Sequence, residues 1–376
     1  MKPIEPAKFP WKDYQRYTYP LGLDLGPLAF LSGHTASAYD AALDKVVSSG
    51  DLRAQTLTAM EKMRVILQSA GYAPQDVVSL IQYVTPAALD KLQELQQLLA
   101  SHGFGAAVAH VVPVTRLLRR DALVELEAIA ARPSQRAADA IGSGAIRVHR
   151  GECDVAFTAG IHSPAPGDSV AASLTAQVRA LGAALKASQR DWSDVARCRL
   201  LLASARPAEV EAAAALVRSL VPELPAVPAV GVAALPPASA PARFAVELCA
   251  SNAAVAAPAC TAGALVRRAG PFLVATGLRS GSEDGNVADQ ATRIYGEVLP
   301  RLLEASGIGI DCIVQTVEWL TEDALRDYKH VGPIRRQMLR EPFPVASGLV
   351  CSALPGSAKL AVDVVAFDRD KASGGI

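Results

Sequence analysis

Aromatic residues are scarce in this chain, 5% of 376 positions, although hydrophobic residues of all kinds reach 51%. One large core needs bulky rings to fill it, and cores stop growing near 250 to 300 residues, so several small modules packed from Ala, Val and Leu are expected. A charge excess of either sign is also lacking. Lys+Arg and Asp+Glu both number 37, and the basic residues are scattered, which leaves no electrostatic footprint for nucleic acid or an anionic membrane. The six cysteines (Cys153, Cys198, Cys249, Cys260, Cys312 and Cys351) include none in the first third and no Cys-x-x-Cys pair. That argues against a disulfide framework or zinc site and for reduced thiols. No His-x-His or His-Glu-x-x-His occurs, so no metal is expected. Neither Gly-x-Gly-x-x-Gly after a strand nor Gly-Lys-Ser/Thr is present, so no nucleotide cofactor is implied. The opening MKPIEPAKFPWKDY has no apolar core, so no secretory signal is expected and a cytoplasmic location is. The uncharged stretch 248–266 is Ala-rich and broken by Ser251, Asn252, Pro258 and Thr261, which reads as a linker rather than a membrane span.

What the chain does have is self-similarity. RVILQSAGYAPQDVV from Arg64, RALGAALKASQRDWSDVA from Arg179 and RLLEASGIGIDCIV from Arg301 each end a helix, turn, and open an apolar strand after an aspartate. Those aspartates, Asp76, Asp194 and Asp311, are spaced 118 and 117 residues apart. A second marker precedes them: Phe30-Leu-Ser-Gly33, Phe157-Thr-Ala-Gly160 and Val274-Ala-Thr-Gly277, read as strand ends at a turn. A third closes each unit, as Ala122-Leu-Val-Glu-Leu-Glu-Ala-Ile-Ala130, Phe244-Ala-Val-Glu-Leu-Cys-Ala250 and Leu360-Ala-Val-Asp-Val-Val-Ala366, with Glu127, Glu247 and Asp363 at corresponding places. Three tandem domains follow, over residues 1–133, 134–254 and 255–376, with Pro/Ala/Ser/Gly linkers near 131–144 and 251–263.

Within a unit the order reads strand, strand, long helix, strand, second helix, two strands. In the first, apolar residues at Leu57, Met60, Val65 and Leu67 give helical spacing over 55–70, stopped by Gly71. Val77–Val84 is a β-branched strand, and 89–99 is again helical. Strands with two helices on one face define an α+β class.

The markers resemble the Rid family, also called RidA/YjgF-like, whose members are typically homotrimers of one such module (chorismate-mutase-like, a mixed sheet with two helices on one face) with active sites between subunits. The first copy resembles it most closely, in Leu23-Asp-Leu-Gly-Pro-Leu-Ala-Phe-Leu-Ser-Gly33, in Tyr19 at the spacing of the family's site tyrosine, and in Leu123-Val-Glu-Leu-Glu-Ala-Ile-Ala130. Three such modules in one chain imply a single-chain pseudo-trimer, monomeric at its simplest, with clefts at the seams. The resemblance makes Glu127 the residue that orients a hydrolytic water. Family deaminases carry a carboxylate-gripping arginine seventeen residues before that glutamate. His110, Val227 and Ala346 stand at the corresponding places here.

The implied reaction is cofactor-independent hydrolysis of a small enamine, imine or related C–N bond. It needs an activated water, a proton shuttle and a donor near the developing charge. Glu127 is read as the shuttle, with Ser32, Tyr19 and the Gly33 amide nearby and His110 as a partner base. His34 and His162 follow the glycine turns. Glu247, Asp363, Thr276, Gly277 and Arg279 are the corresponding binding residues of the later copies, Arg279 as a substitute anion anchor. The bland readings stand beside these: a solvated strand carboxylate, a histidine filling an abandoned site, an exposed arginine. Two other functions remain open, a non-catalytic small-ligand-binding or regulatory protein, and a chorismatase-like enzyme, since chorismatases also resemble tandem Rid-like modules. The partner in every case is a small molecule.

Overall fold

The computed structural model describes residues 1–11, 19–26, 28–133, 136–139, 145–150, 153–161, 169–236, 240–250, 252–253, 261, 263–282 and 284–369; within 134–154, 159–161 and 252–253 only the backbone is described. His162 and Cys260 therefore lie outside the described residues.

The chain is mixed α+β, built on three large sheets. The first runs Lys2–Ile4, Gly22–Asp24, Leu28–His34, Val124–Ala131, Val77–Val84, Val108–Pro113. The second runs Arg136–Asp139, Ala145–Arg150, Cys153–Ile161, Ala242–Ala250, Val195–Ala203, Ala229–Val232. The third runs Asn252–Ala253, Leu265–Ala269, Phe272–Leu278, Leu360–Phe367, Ile313–Thr321, Val345–Cys351, and then takes Arg116–Leu117 from the first third of the chain as its edge. In each sheet one pair is parallel, Val77–Val84 with Val108–Pro113 and its two counterparts. A parallel pair needs a crossover, and helices supply it. In the first sheet α1 (Leu52–Ser69) precedes the inner strand and α2 (Leu92–Leu99) crosses to the edge. α3 (Val170–Ala187) and α4 (Pro207–Leu220) do the same for the second. The third uses α5 (Val287–Arg293), continued through a π-type turn into α6 (Leu299–Ala305), and then α7 (Val331–Met338).

Local chemistry sets the boundaries. Asp51 caps α1, its carboxylate accepting from the Ala54 amide at 2.9 Å, and Gly71 after its end holds φ +76°, which a β-carbon would strain. The proposed linkers are shorter than expected, because Arg136–Asp139 and Asn252–Ala253 are edge strands of the second and third sheets. The three glycine markers are not turns either. Each strand runs on past its glycine, and the register slips between Leu31 and His34, Phe157 and Gly160, and Ala275 and Leu278. A bulge of this kind bends a strand and re-aims its side chains.

Alternation explains the long apolar strands. Along Val124–Ala131, Leu126, Ala128 and Ala130 face the helices, whereas Ile129 and Ala131 face a central core. That core gathers Leu28, Phe30 and Ile129 of the first sheet, Val155, Phe157 and Leu248 of the second, and Phe272, Val274 and Val365 of the third. Phe30 and Phe272 stand 6.1 Å apart at its centre. Truncating such a buried ring to Ala costs about 3–5 kcal/mol. The sheets thus meet through their helix-free faces, and seams lie where their edges adjoin. No helix among the described residues is long and apolar enough to cross a membrane.

Candidate functional site

The seam between the first and third sheets holds a cavity of about 650 Å³. One wall is the bulge of Leu28–His34, the other Val345–Cys351. The walls are tied together: Ser32 Oγ donates to the Pro20 carbonyl at 2.6 Å and accepts from the Ala346 amide at 3.1 Å. Ser32 is fully buried and spent on this join; it does not line the cavity. Tyr19, Gly33, His34 and Ala346 do. His34 is buried rather than solvent-exposed, with Nε2 3.2 Å from the Leu21 carbonyl. Burial and the nearby Lys62 hold its imidazole down at about 3, so it is neutral at pH 7.

The carboxyl groups lining this space are those of Glu5 and Glu125, not Glu127. Glu125 packs so closely on the bulge that a β-carbon at Gly33 would stand 2.0 Å from its Oε1 and 2.5 Å from Ser347 Oγ. Its Oε1 is buried without a hydrogen-bond partner. Burial, and secondarily the charge of Glu127, raise its carboxyl to about 8, leaving it protonated at neutral pH. The sequence held the signal: residues 125 and 127 alternate onto one strand face, so Val-Glu-Leu-Glu offered two candidates and not one.

Glu127 belongs to a buried network behind the cavity. It accepts from Ser347 Oγ at 2.5 Å, Gln315 Nε2 at 2.8 Å and Tyr83 OH at 3.3 Å. Arg197 Nη2 donates to the same Gln315 at 3.1 Å. Arg199 reaches Asp363 at 2.7 Å and Glu247 at 3.3 Å, and stacks over Trp319 with Cζ 4.6 Å from the ring centre. Asp363 also accepts from Trp319 Nε1 at 3.1 Å and from the Gly277 amide at 2.7 Å. The three corresponding acids therefore converge inward: Arg199 pairs with Asp363 and Glu247, burial raises the Glu127 carboxyl, and the network holds the sheets to one another. The arginine charges keep the Glu247 carboxyl below its usual value despite burial. His110 faces Glu247 and Arg197 across an enclosed void of about 30 Å³, not Glu127, and burial lowers it to about 4. The expected His110–Glu127 pair does not form.

At the seam between the second and third sheets the described residues enclose little space. Gly277, Arg279, Val227, Arg199 and Asp363 surround a space of only about 30 Å³, room for one water. Arg279 Nη1 donates to the Pro355 carbonyl at 3.2 Å, and Thr276 is fully buried. At the remaining seam Arg243 Nη1 donates to the Val111 carbonyl at 2.7 Å, and the side chains of residues 159 and 160 lie outside the described set. Among the described residues no group of His, Cys, Asp or Glu is arranged to hold a metal.

Spacing alone did not reveal several cavity residues. Lys62 enters from α1, Arg116 and Arg119 from the edge strand and its loop, and Tyr328 and Arg335 from the third sheet's helical layer. Glu318, on the strand Ile313–Thr321 beneath that layer, accepts from Tyr295 and Tyr328, both at 2.5 Å, and pairs with Arg335 at 3.5 Å.

Residues 13–132 match the family described as endoribonuclease L-PSP, and the chain carries one RidA/YjgF-type domain there. A RutC family protein of Pyrococcus horikoshii is 27% identical over 112 residues, 30% of this chain and 85% of that protein. A member of the YjgF/YER057c/UK114 family from Mycobacterium tuberculosis is 30% identical over 30% of this chain and 86% of its own, with a TM-score of 0.25. E. coli TdcF with bound serine is 25% identical over 35% of this chain and 99% of its own, with a TM-score of 0.29.

Proposed function

We propose that the chain is three Rid-like modules closed into a pseudo-trimer, over 1–133, 134–254 and 255–376, and that it hydrolyses an enamine, imine or related C–N bond at the seam of the first and third. The shared strand order and the bulge repeated in each sheet support the triplication. The observation that carries the chemistry is Glu125, buried against Gly33 at the edge of the 650 Å³ cavity, where burial pushes its carboxyl up to about 8.

An acid of that kind gives its proton to the imine nitrogen, making the carbon electrophilic. Water adds, and the Glu125 carboxylate takes the proton that water releases. The carbinolamine then collapses: Glu125 protonates the amine, ammonia leaves, and the hydroxyl proton returns to the carboxylate as the carbonyl forms. The Gly33 amide and the Tyr19 hydroxyl are the neighbouring donors. The other seams serve assembly, with Arg199 and Asp363 filling one of them. No cofactor, nucleic acid or second chain is required, and four described thiols, all free, suit a cytoplasmic setting.

The test is ammonia release from imino acids generated in situ, comparing wild type with Glu125→Gln and Glu127→Gln. Glu125→Gln abolishes turnover with folding intact, and full activity in that variant overturns the assignment. Ala346 at the cavity wall, where the family arginine is expected, favours a second reading as a ligand-binding protein. Ligand binding with no turnover of any imine, amide or lactam decides for it.

A further inference from the structure

The hydrolysis proposed above makes no use of Lys62, although this residue lines the cavity. An interior lysine is unusual, since its charge is stable there only when paired. Lys62 is 4% exposed and sits on α1 among the buried residues Ala59, Met60, Met63 and Ile66. Its Nζ reaches the carbonyls of Thr35, at 2.8 Å, and Ser37, just beyond the strand Leu28–His34. Among the described residues no carboxylate pairs with it; Glu5 and Glu125 line the same cavity without bonding to it. Its charged neighbour is Arg119, and His34 on the same wall is neutral.

Counting donors against acceptors shows which protonation state this seat fits. An ammonium has three N–H bonds and a neutral amine has two. Two carbonyls take two donors, so the neutral amine is fully satisfied and its lone pair is left to the open side, the cavity that Lys62 lines. The third N–H of the ammonium has only the Trp11 ring, whose centre is 6.0 Å from Nζ, the outer limit of a cation–π contact. Burial, and secondarily Arg119, hold the ammonium down at about 8, so about one molecule in ten carries the free amine at pH 7. Desolvation beside another cation is a recognised route to a nucleophilic lysine.

We propose that Lys62 is a nucleophilic lysine that captures small aldehydes entering the cavity as Schiff bases. The lone pair adds to the carbonyl carbon, forming the C–N bond, and an amine proton passes to the oxygen. The carbinolamine then loses water, made from the carbonyl oxygen and the two amine hydrogens, and C=N remains. Nothing is oxidised or reduced. An aldehyde suits the seat because it is uncharged, and so needs no counter-ion beside Arg119, and because its small hydrogen substituent leaves room beside an amine held at two points. Phe9, Trp11 and Leu118 line the same cavity and supply apolar surface for its carbon chain. Capture requires neither Glu125 nor hydrolysis, so it stands or falls apart from the function proposed above.

The experiment treats the full chain with propanal and sodium cyanoborohydride at pH 7, which fixes each Schiff base as a secondary amine. Intact mass follows the modification, and peptide mapping separates Lys62 from the other lysines and from the α-amine. Lys62 is expected to react about tenfold or more faster than the mean of the other lysines. Its free-amine fraction is about one in ten, against about one in three thousand at the ordinary 10.5, and the lower nucleophilicity of a weaker base tempers that gain. Its rate levels off above about pH 8, where that of an ordinary lysine climbs on to about pH 10. Dextran aldehyde, too large for the cavity, leaves Lys62 unmodified. Lys62→Arg removes the fast modification; should thermal unfolding show that this variant does not fold, the peptide map of the wild type decides alone. Modification of Lys62 no faster than that of exposed lysines, a rate there that climbs on to about pH 10, labelling by dextran aldehyde, or a fast phase that maps to another lysine overturns the proposal.

Discussion

Gly33→Ala separates the shape of the site from its chemistry. Gly33 lies outside the left-handed region, so alanine costs nothing in backbone strain; the collision is with side chains alone. The added methyl would stand 2.0 Å from Glu125 Oε1, 2.7 Å from its Cδ and 2.5 Å from Ser347 Oγ, against an ordinary contact of 3.4 Å or more. The Glu125 carboxyl must retreat by about 1.4 Å at its nearest atom, and Ser347, which donates to Glu127, must turn with it. A misplacement near 1 Å costs about a hundredfold in a positioned reaction, and overpacking costs about 1–3 kcal/mol of stability. The expected outcome is kcat/KM for ammonia release down about a hundredfold, with a modest fall in Tm and an unchanged circular-dichroism spectrum. Unaltered kcat/KM in a folded Gly33→Ala protein refutes the placement of the reaction beside the bulge.

Arg199→Met leaves Asp363 buried without its cation and Glu247 with only Arg197 nearby, so urea unfolding reports a loss of about 3–5 kcal/mol; a loss under 1 kcal/mol refutes the role of the inward acids as a joint. Glu125 is raised in the folded state from its ordinary 4.5 to about 8, so its protonated form contributes stability that is complete below pH 4.5 and fades as pH climbs through 8. Glu125→Gln flattens that alkaline limb in pH-dependent unfolding, and wild-type turnover falls above pH 8. His110 shifts the other way, from 6.5 to about 4: stability is present above 6.5 and is lost as pH falls toward 4. His110→Leu reduces the acid-side slope, and an unchanged slope shows that His110 is not buried as neutral imidazole.

Local elements were legible where their cause was local. Apolar spacing placed the first helix at 55–70 against Leu52–Ser69 observed, and β-branching placed Val77–Val84 at its observed ends. The segment 89–99 is less regular: Pro86–Lys91 is a 3-10 turn, and α2 begins at Leu92. The spacing of the Gly33, Gly160 and Gly277 markers was readable, but their being bulges was not, since a register slip depends on the partner strand. The site was less legible still. Ser32 and the amide it anchors are 314 residues apart, and Lys62 and Arg335 share a cavity through packing alone. Glu127 drew the functional assignment from the family resemblance, yet Glu247 and Asp363 hold its place in the later units, and in the structure the three acids belong to the joint between the sheets. Glu125 has no acidic counterpart, since Ala245 and Ala361 stand two residues before Glu247 and Asp363.

The short strand Arg116–Leu117 ties the earliest third of the chain to the last. It pairs antiparallel with Leu349 and Val350, and the Thr115 amide donates to the Val350 carbonyl at 2.8 Å. During synthesis this clasp has no mate until more than two hundred further residues have emerged. The nascent first third carries an open edge and an unroofed pocket, so the cavity wall formed by Val345–Cys351 is completed only when the last third packs against the first. Latching of this kind comes late in synthesis and puts the final third in control of when the pocket exists.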